Sequence, residues 1–129
     1  MLSQRPAFSS FSATDIGTEK DFYADTLGLA VTEENGVLMV DLTGGQRVVI
    51  YPKDDHVPAT FTVLNFEVDD VAAAVDGLVA RGVTFERYEG LEQDERGIMR
   101  DFGPPIAWFT DPAANVIALI QTEEAKREA

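Results

Sequence analysis

The sequence predicts an α+β fold built from two βαβββ modules in one domain. Two observations support this prediction: each half of the chain opens with an apolar strand pattern followed by an aspartate-capped helix, and each helix is followed by several short strands. The aspartates at the two strand-to-helix junctions are Asp15 and Asp70. The modules fall at about 7–52 and 61–121 of the single domain 1–129, and the charged tail 122–129 is expected to fray.

The first module opens with a strand predicted at 7–13. Asp15 follows this strand, and its carboxylate can accept hydrogen bonds from the free N–H groups of a helix that begins near Thr18. The apolar spacing within that helix predicts that Phe22 and Leu27 face the core.

Three short strands follow the first helix. Asn35-Gly36 predicts a tight turn between the first two, because both residues tolerate a positive φ. Gly44-Gly45 predicts the next turn. The predicted strands are 30–33, 37–42 and 47–51.

The second module repeats this order of elements. A strand predicted at 61–68 precedes Asp70, and apolar residues at helical spacing predict a helix over 71–81 that ends at Gly82. Four short strands complete the module, and they are predicted at 83–88, 97–102, 106–110 and 116–121.

The composition excludes several classes of function. The chain has 10 Lys and Arg against 23 Asp and Glu, a net charge of −13, and so lacks the basic face that nucleic-acid binding requires. It has no Cys for a disulfide, a thiolate zinc site or a nucleophile. No apolar run approaches the roughly 20 residues of a membrane-spanning helix, and no signal-peptide pattern opens the chain. We therefore expect a soluble, cytoplasmic protein, and we interpret its acidity as a source of solubility rather than as a cleft for a cationic ligand.

Three segments of the sequence together carry a resemblance to a known family. They are a helix with the junction before it, a strand-to-helix junction and an aromatic-rich turn. They are Asp15-Ile16 with Phe22-Tyr23 and Leu27-Gly28-Leu29, then Asn65-Phe66-Glu67-Val68-Asp69-Asp70-Val71, then Trp108-Phe109-Thr110-Asp111-Pro112-Ala113-Ala114-Asn115. In their order and spacing these segments resemble the glyoxalase/bleomycin-resistance/extradiol dioxygenase superfamily, also called vicinal oxygen chelate proteins, over roughly residues 7 to 121. The resemblance implies a pseudo-symmetric, cup-shaped sheet that binds ligands on its concave side, and it implies a homodimer.

The resemblance also locates the positions at which metal-dependent members place their ligands. These are a His seven residues before each junction Asp and a Glu three residues after the turn Asn. In this sequence the three positions are Phe8, Val63 and Ala118, whose side chains offer no lone pair to a metal. We therefore expect no metal, and the absence of glycine-rich phosphate loops predicts no nucleotide cofactor either.

The turn before the last strand also departs from the family pattern. Members of the superfamily usually have Gly where this chain has Ala114. Either Ala114 adopts a positive φ at a cost of about 1 kcal/mol, or Asn115 takes the left-handed conformation instead.

The single histidine, His56, lies in a polar loop. Asp54, Asp55 and His56 could together ligate a metal, but we favour a solvated histidine in a loop flanked by prolines. The serines of the first strand, including Ser10 and Ser12, have no histidine close to them in the sequence. A serine nucleophile would therefore have to recruit His56 across the fold.

Strand alternation predicts which side chains line the concave face. An apolar floor, a few polar groups and an aromatic rim have the usual composition of a small-molecule site. The alternative is that these side chains fill the cup and that nothing binds there. The predicted ligand-binding residues are Phe8, Ser10, Tyr51, Val63, Asn65, Glu67, Phe102, Trp108 and Ala118.

These observations predict a metal-independent small-molecule binding protein, similar in logic to the antibiotic-sequestering members of the superfamily. An aromatic or cationic ligand would lie against Trp108 with Glu67 balancing its charge, and a cation–π contact would contribute roughly 0.5–2 kcal/mol. The alternative is a superfamily enzyme (a lyase, isomerase or dioxygenase) with relocated metal ligands or with Glu67 as a metal-free base. A structural or regulatory partner protein is a third hypothesis.

Overall fold

The computed structural model describes residues 1–122, so all but the first residue of the tail predicted to fray lies outside the described part. The chain divides into two compact units, Met1–Val57 and Pro58–Ala129. Each unit contains one small mixed sheet and one α-helix, and the predicted α+β fold is confirmed. The elements are β1 Ser9–Ala13, α1 Ile16–Asp21, β2 Ala30–Glu34, β3 Val37–Asp41, β4 Arg47–Pro52, β5 Thr62–Val68, α2 Val71–Val79, β6 Ile106–Thr110 and β7 Val116–Gln121.

The sheet of the first unit has the strand order β1-β4-β3-β2, in which β1 runs parallel to β4 and the other pairs are antiparallel. Asn35 and Gly36 have φ values of 54° and 77°, as the hairpin prediction requires. One face of the sheet packs against α1, and its buried residues are all apolar. Its buried residues are Ala13, Leu38, Val40, Val48 and Ile50.

The first helix differs from its prediction at both ends. It begins at Ile16, because the Asp15 carboxylate accepts a hydrogen bond from Thr18 N at 3.1 Å and so caps the first turn. After Asp21 the chain winds as a π-helical turn, Phe22–Thr26. This wider turn changes the spacing of side chains around the axis. Tyr23 is therefore the fully buried aromatic residue, whereas Phe22 and Leu27, the predicted core residues, are only half-buried.

The sheet of the second unit has the order β5-β7-β6, in which β5 and β7 are parallel and β6 is antiparallel to β7. The Asp70 carboxylate caps α2 by accepting a hydrogen bond from Ala73 N at 3.1 Å. The apolar side of α2 buries Val71 and Val75. This helix ends at Val79, two residues before its predicted end.

Two predicted strands, 83–88 and 97–102, are wrong. Each makes only an isolated bridge, Phe85 with Phe109 and Met99 with Ile106. The physical reason is the loop between them, in which a side chain takes the place of a neighbouring strand. Gln93 Nε2 donates to the carbonyls of Glu86 at 3.0 Å and Gly97 at 2.7 Å, and Gln93 Oε1 accepts from Tyr88 N at 2.8 Å. Backbone groups bonded in this way cannot form a continuous ladder.

The turn before β7 has one left-handed residue, for which the sequence left Ala114 and Asn115 as alternatives. Ala114 has a φ of 68°, so the left-handed residue is Ala114 and not Asn115. The carboxylate of Asp111 holds this turn, because it accepts from Ala113 N at 3.0 Å and from Asn115 N at 2.9 Å. These buried bonds offset the conformational cost of an alanine at positive φ.

Candidate functional site

The register of the second sheet places several predicted site residues on one face. Asn65 pairs with Ala118, and Ala118 pairs with Trp108, so these three residues form one row across the three strands. Glu67 pairs with Ile120 in the next row on the same face. The opposite face carries Gln121, whose Oε1 accepts from Val71 N of α2 at 3.0 Å. The predicted row therefore lies on the face of this sheet that α2 does not cover.

An aromatic pair lies on this uncovered face. The rings of Trp108 and Tyr88 meet edge to face, with their centroids 5.4 Å apart and an interplanar angle of 74°. Burial raises the pKa of Tyr88, and the negative charge of Glu86 raises it further. The sequence prediction missed Tyr88 as a site residue, because it placed this tyrosine in a regular strand and gave no reason for it to reach Trp108.

Glu86 is the second residue that sequence reasoning missed. Its backbone N donates to the Trp108 carbonyl at 2.8 Å, which fixes the segment 85–88 alongside β6. Its side-chain Oε1 accepts from Thr110 Oγ1 at 3.4 Å. A carboxylate thus lies beside the aromatic pair, on the same side of the sheet as Glu67.

Most of the arginines of the second unit are engaged with groups away from the carboxylates of this face. Residues 58–122 contain no Lys. Arg96 pairs with Asp76 at 2.8 Å, Arg100 pairs with Asp94 at 3.4 Å, and Arg87 donates to the Asp94 carbonyl at 2.6 Å. In the described part of the chain, neither Glu67 nor Glu86 forms an ion pair. No described ion pair therefore offsets these two carboxylates.

The remaining predicted residues of the second unit have different environments. Val63 is half-buried at an irregularity between Thr62 and Leu64, where the register of β5 shifts. Ala118 is fully buried with 0% of its surface exposed, so it acts as a floor beneath larger side chains. Phe102 is 75% exposed. It lies in an irregular segment, three residues after Met99, which forms an isolated bridge with Ile106 of β6.

In the first unit, Ser10 and Tyr51 lie on the face of the sheet opposite the buried core, because Ser10 pairs with Val49 and Ser12 pairs with Tyr51. Tyr51 is 40% exposed. Phe8 precedes β1, and the Arg47 guanidinium stacks over its ring at 5.0 Å from the centroid. These two residues line a cleft of about 440 Å³.

His56 is not a solvated loop residue, and this prediction is wrong. Its Nδ1 lies 2.7 Å from Ser12 Oγ, and both residues are half-buried. The loop after β4 folds back on β1 because Lys53 N donates to the Ala13 carbonyl at 3.0 Å. Asp55 pairs instead with the Lys53 ammonium, which lowers the pKa of that carboxyl through a side-chain hydrogen bond.

The alternative that Asp54, Asp55 and His56 ligate a metal gains no support from this geometry. Among residues 1–122 there is no group of three or more His, Asp or Glu side chains arranged to hold a metal ion. Phe8, Val63 and Ala118 supply no donor atoms at the positions where the resemblance places ligands. No helix in the same range is both long and apolar enough to cross a membrane.

The order of the elements defines an α+β protein made of two units, each with one small mixed sheet and one α-helix. The family sequence profile of the Glyoxalase/Bleomycin resistance protein/Dioxygenase superfamily matches residues 10–119. The chain therefore belongs to that superfamily. No curated protein sequence matches the chain.

Several solved structures have the same fold. TnmS3, an antibiotic binding protein from Streptomyces sp. CB03234, is 25% identical with a TM-score of 0.67, and the match covers 93% of this chain and 98% of that one. A glyoxalase/bleomycin resistance protein from the same strain is 27% identical with a TM-score of 0.61, covering 89% of this chain and 100% of that one. The fosfomycin resistance protein FosX from Listeria monocytogenes, at 13% identity, has a TM-score of 0.69 over 95% of this chain and 98% of that one, which shows the fold alone.

Proposed function

We propose that this chain is a metal-independent small-molecule binding protein that sequesters an antibiotic or a toxin. The observation that carries the proposal is the Trp108–Tyr88 pair, because Trp108 lies in one row with Asn65 and shares with Glu67 the sheet face that the helix leaves uncovered. An apolar surface with a few fixed polar groups is the usual composition of a ligand site. The antibiotic binding shown in the name of TnmS3 supports a similar role here.

The chemistry of this face favours an aromatic or cationic ligand. A positive group over the Trp108 ring gains a cation–π contact of roughly 0.5–2 kcal/mol, and Glu67 and Glu86 balance its charge. Sequestration requires an affinity of about micromolar or better, which corresponds to some −8 kcal/mol. The aromatic contact therefore supplies only part of the affinity, and burial of the ligand's apolar surface supplies most of the rest.

Metal independence rests on the side chains themselves. Phenylalanine, valine and alanine at positions 8, 63 and 118 cannot coordinate a transition metal, whatever metal is offered. Native mass spectrometry of the purified protein, before and after incubation with nickel, zinc and iron, tests this part. We expect no uptake. One tightly held metal per chain would overturn metal independence, and repeating the measurement on His56→Gln would show whether the His56 loop holds it.

The ligand class is tested with two planar dyes of opposite charge, ethidium and 1-anilinonaphthalene-8-sulfonate. Titration calorimetry should give tighter binding of the cation, and Trp108→Ala should weaken that binding at least tenfold. Phe61→Ala is the matched control, because Phe61 is an exposed aromatic residue outside the proposed site. Equal affinities for the two dyes, or equal effects of the two substitutions, would contradict the proposal.

The same site could support the superfamily's chemistry with Glu67 as a metal-free base, because this carboxylate is exposed on the sheet face that carries Asn65 and Trp108. Glu67→Gln separates the two hypotheses. A binding protein should lose affinity for a cation only modestly, whereas an enzyme should lose turnover altogether. Phe8, Ser10, Tyr51, Val63 and Phe102 remain predicted contacts, and the homodimer and the cytoplasmic location remain proposals.

A further inference from the structure

A serine and a histidine that are 44 residues apart in the sequence meet in the first unit. Ser12 Oγ lies 2.7 Å from His56 Nδ1, which is within the range for a nucleophile and its general base. Ser12 is the fourth residue of β1. The loop 53–56 is fixed by two backbone bonds, Lys53 N to Ala13 O at 3.0 Å and His56 N to Lys53 O at 3.1 Å. The pair is therefore positioned by a strand on the Ser12 side and by a hydrogen-bonded loop on the His56 side.

The surroundings of the pair place it on the less buried face of its sheet. Ser12 pairs with Tyr51 in the β1–β4 register, so their side chains share the face opposite the one that buries Leu38 and Ile50. Ser12 and His56 are both half-buried, and Tyr51 is exposed at the same level of the sheet. The pair is therefore only partly buried, on the face of the sheet that does not form the buried core.

We propose that Ser12 is a nucleophile toward activated carboxylic esters, with His56 as its base. The reaction requires the tautomer whose proton is on Nε2, so that the Ser12 hydroxyl donates to Nδ1. Ser12 Oγ forms a bond to the ester carbonyl carbon, its proton passes to Nδ1, and the bond from that carbon to the leaving oxygen breaks. The leaving oxygen takes the proton from His56. Water then hydrolyses the acyl-serine, with His56 again accepting and returning a proton.

The substrate class follows from the two residues present. The Ser12–His56 pair supplies the nucleophile and the proton transfer, which suits an ester whose leaving group departs readily. Aryl esters meet this requirement, because a phenolate leaves more readily than an alkoxide. This activity lies beyond the binding function proposed above and concerns different residues, so the outcome for Trp108 does not decide it.

The experiment uses p-nitrophenyl acetate with the full chain. Release of p-nitrophenolate is followed during the first turnover, and acid-quenched samples are analysed by intact mass and peptide mapping. We expect one acetyl group on Ser12. Ser12→Ala should abolish both the burst and the adduct, and His56→Gln should slow acylation by about 10²- to 10⁴-fold, the usual contribution of a general base. Ser9→Ala is the matched control, since Ser9 is an exposed serine of the same strand, lies on its other face and has no described bond to His56.

Three outcomes would overturn the proposal: no acetylation of the wild-type chain, acetylation mapped to other residues, or an adduct that persists at equal rate in His56→Gln. The thermal unfolding midpoint is measured for each variant. If Ser12→Ala does not fold, His56→Ala with added imidazole decides the matter. Restored acylation of Ser12 by free imidazole supports the proposal, and acylation that does not respond to imidazole contradicts it.

Discussion

Trp108 and Tyr88 meet edge to face with their ring centroids 5.4 Å apart, although Trp108 lies in β6 and Tyr88 lies in an irregular segment. The backbone bond from Glu86 N to Trp108 O brings the two residues together, and Gln93 then holds Tyr88 in place through its backbone N. The aromatic surface of the proposed site therefore depends on a segment that has no regular secondary structure. This relationship leads to the first two predictions.

Glu86→Gln should lower the pKa of Tyr88. Burial raises this pKa above its ordinary value near 10, and the Glu86 charge raises it further. Removing the charge should leave the pKa of Tyr88 still elevated, because burial remains. Since the neutral phenol is favoured in the folded state, stability should fall as pH rises above about 10, and the variant should lose less. Carbon-13 NMR titration of the tyrosine ring carbons measures the shift. Glu89→Gln is the control, and an equal decrease there would contradict the assignment to Glu86.

Gln93→Ala should destabilise the irregular segment that carries Tyr88. Its amide makes three hydrogen bonds to backbone groups, and leaving half-buried groups without partners costs about 1–3 kcal/mol. We expect a corresponding decrease in the free energy of urea unfolding and faster amide exchange at Tyr88. Glu92→Ala, an exposed neighbour, should change neither quantity. If the two variants behave alike, the amide of Gln93 does not hold the segment.

Ala114→Gly should stabilise the protein. Ala114 has a φ of 68°, a left-handed conformation that costs an alanine about 1–2 kcal/mol relative to glycine. The greater entropy of glycine in the unfolded chain offsets part of this gain, so we expect a net increase of about 0.5–1 kcal/mol in the free energy of unfolding. The neighbouring substitution Ala113→Gly should instead destabilise the protein by a similar amount, because Ala113 has a negative φ. Chemical denaturation of both variants measures the free energy of unfolding, which should increase in Ala114→Gly and decrease in Ala113→Gly.

Arg96→Gln should raise the pKa of Asp76. The Arg96 guanidinium donates to both carboxylate oxygens of Asp76, at 2.8 and 3.1 Å, and this holds the pKa of the carboxyl below its ordinary value. A lowered folded-state pKa means that the pair stabilises the protein above the ordinary pKa of aspartate and that this contribution is lost as pH falls below it. NMR titration of the Asp76 carboxyl should show the increase in Arg96→Gln. Arg81→Gln is the control, and a matching shift there would show that Asp76 responds to net charge alone.

Local signals in the sequence predicted the helix caps of both units and the sheet face on which the side chains of β5 and β7 lie. Asp15 and Asp70 cap their helices because a carboxylate satisfies free N–H groups wherever a helix begins. Alternation along β5 and β7 placed Asn65, Glu67 and Ala118 on one face, because the two-residue period of a strand holds in any sheet. The predicted strands 83–88 and 97–102 failed where the Gln93 side chain, and not a neighbouring strand, bonds the backbone.

The sequence by itself determined the α+β class, the superfamily resemblance, the helix caps and the loss of metal donors at Phe8, Val63 and Ala118. All of these depend on residue identity or on contacts within a few positions of the chain. Only the tertiary structure decided which residue packs against Trp108 and which residue is hydrogen-bonded to His56. Tyr88 and Ser12 are separated from their partners by 20 and 44 residues in the sequence, and no periodicity encodes pairings at such separations. Packing and long-range hydrogen bonds select them, and these form only when the whole unit folds.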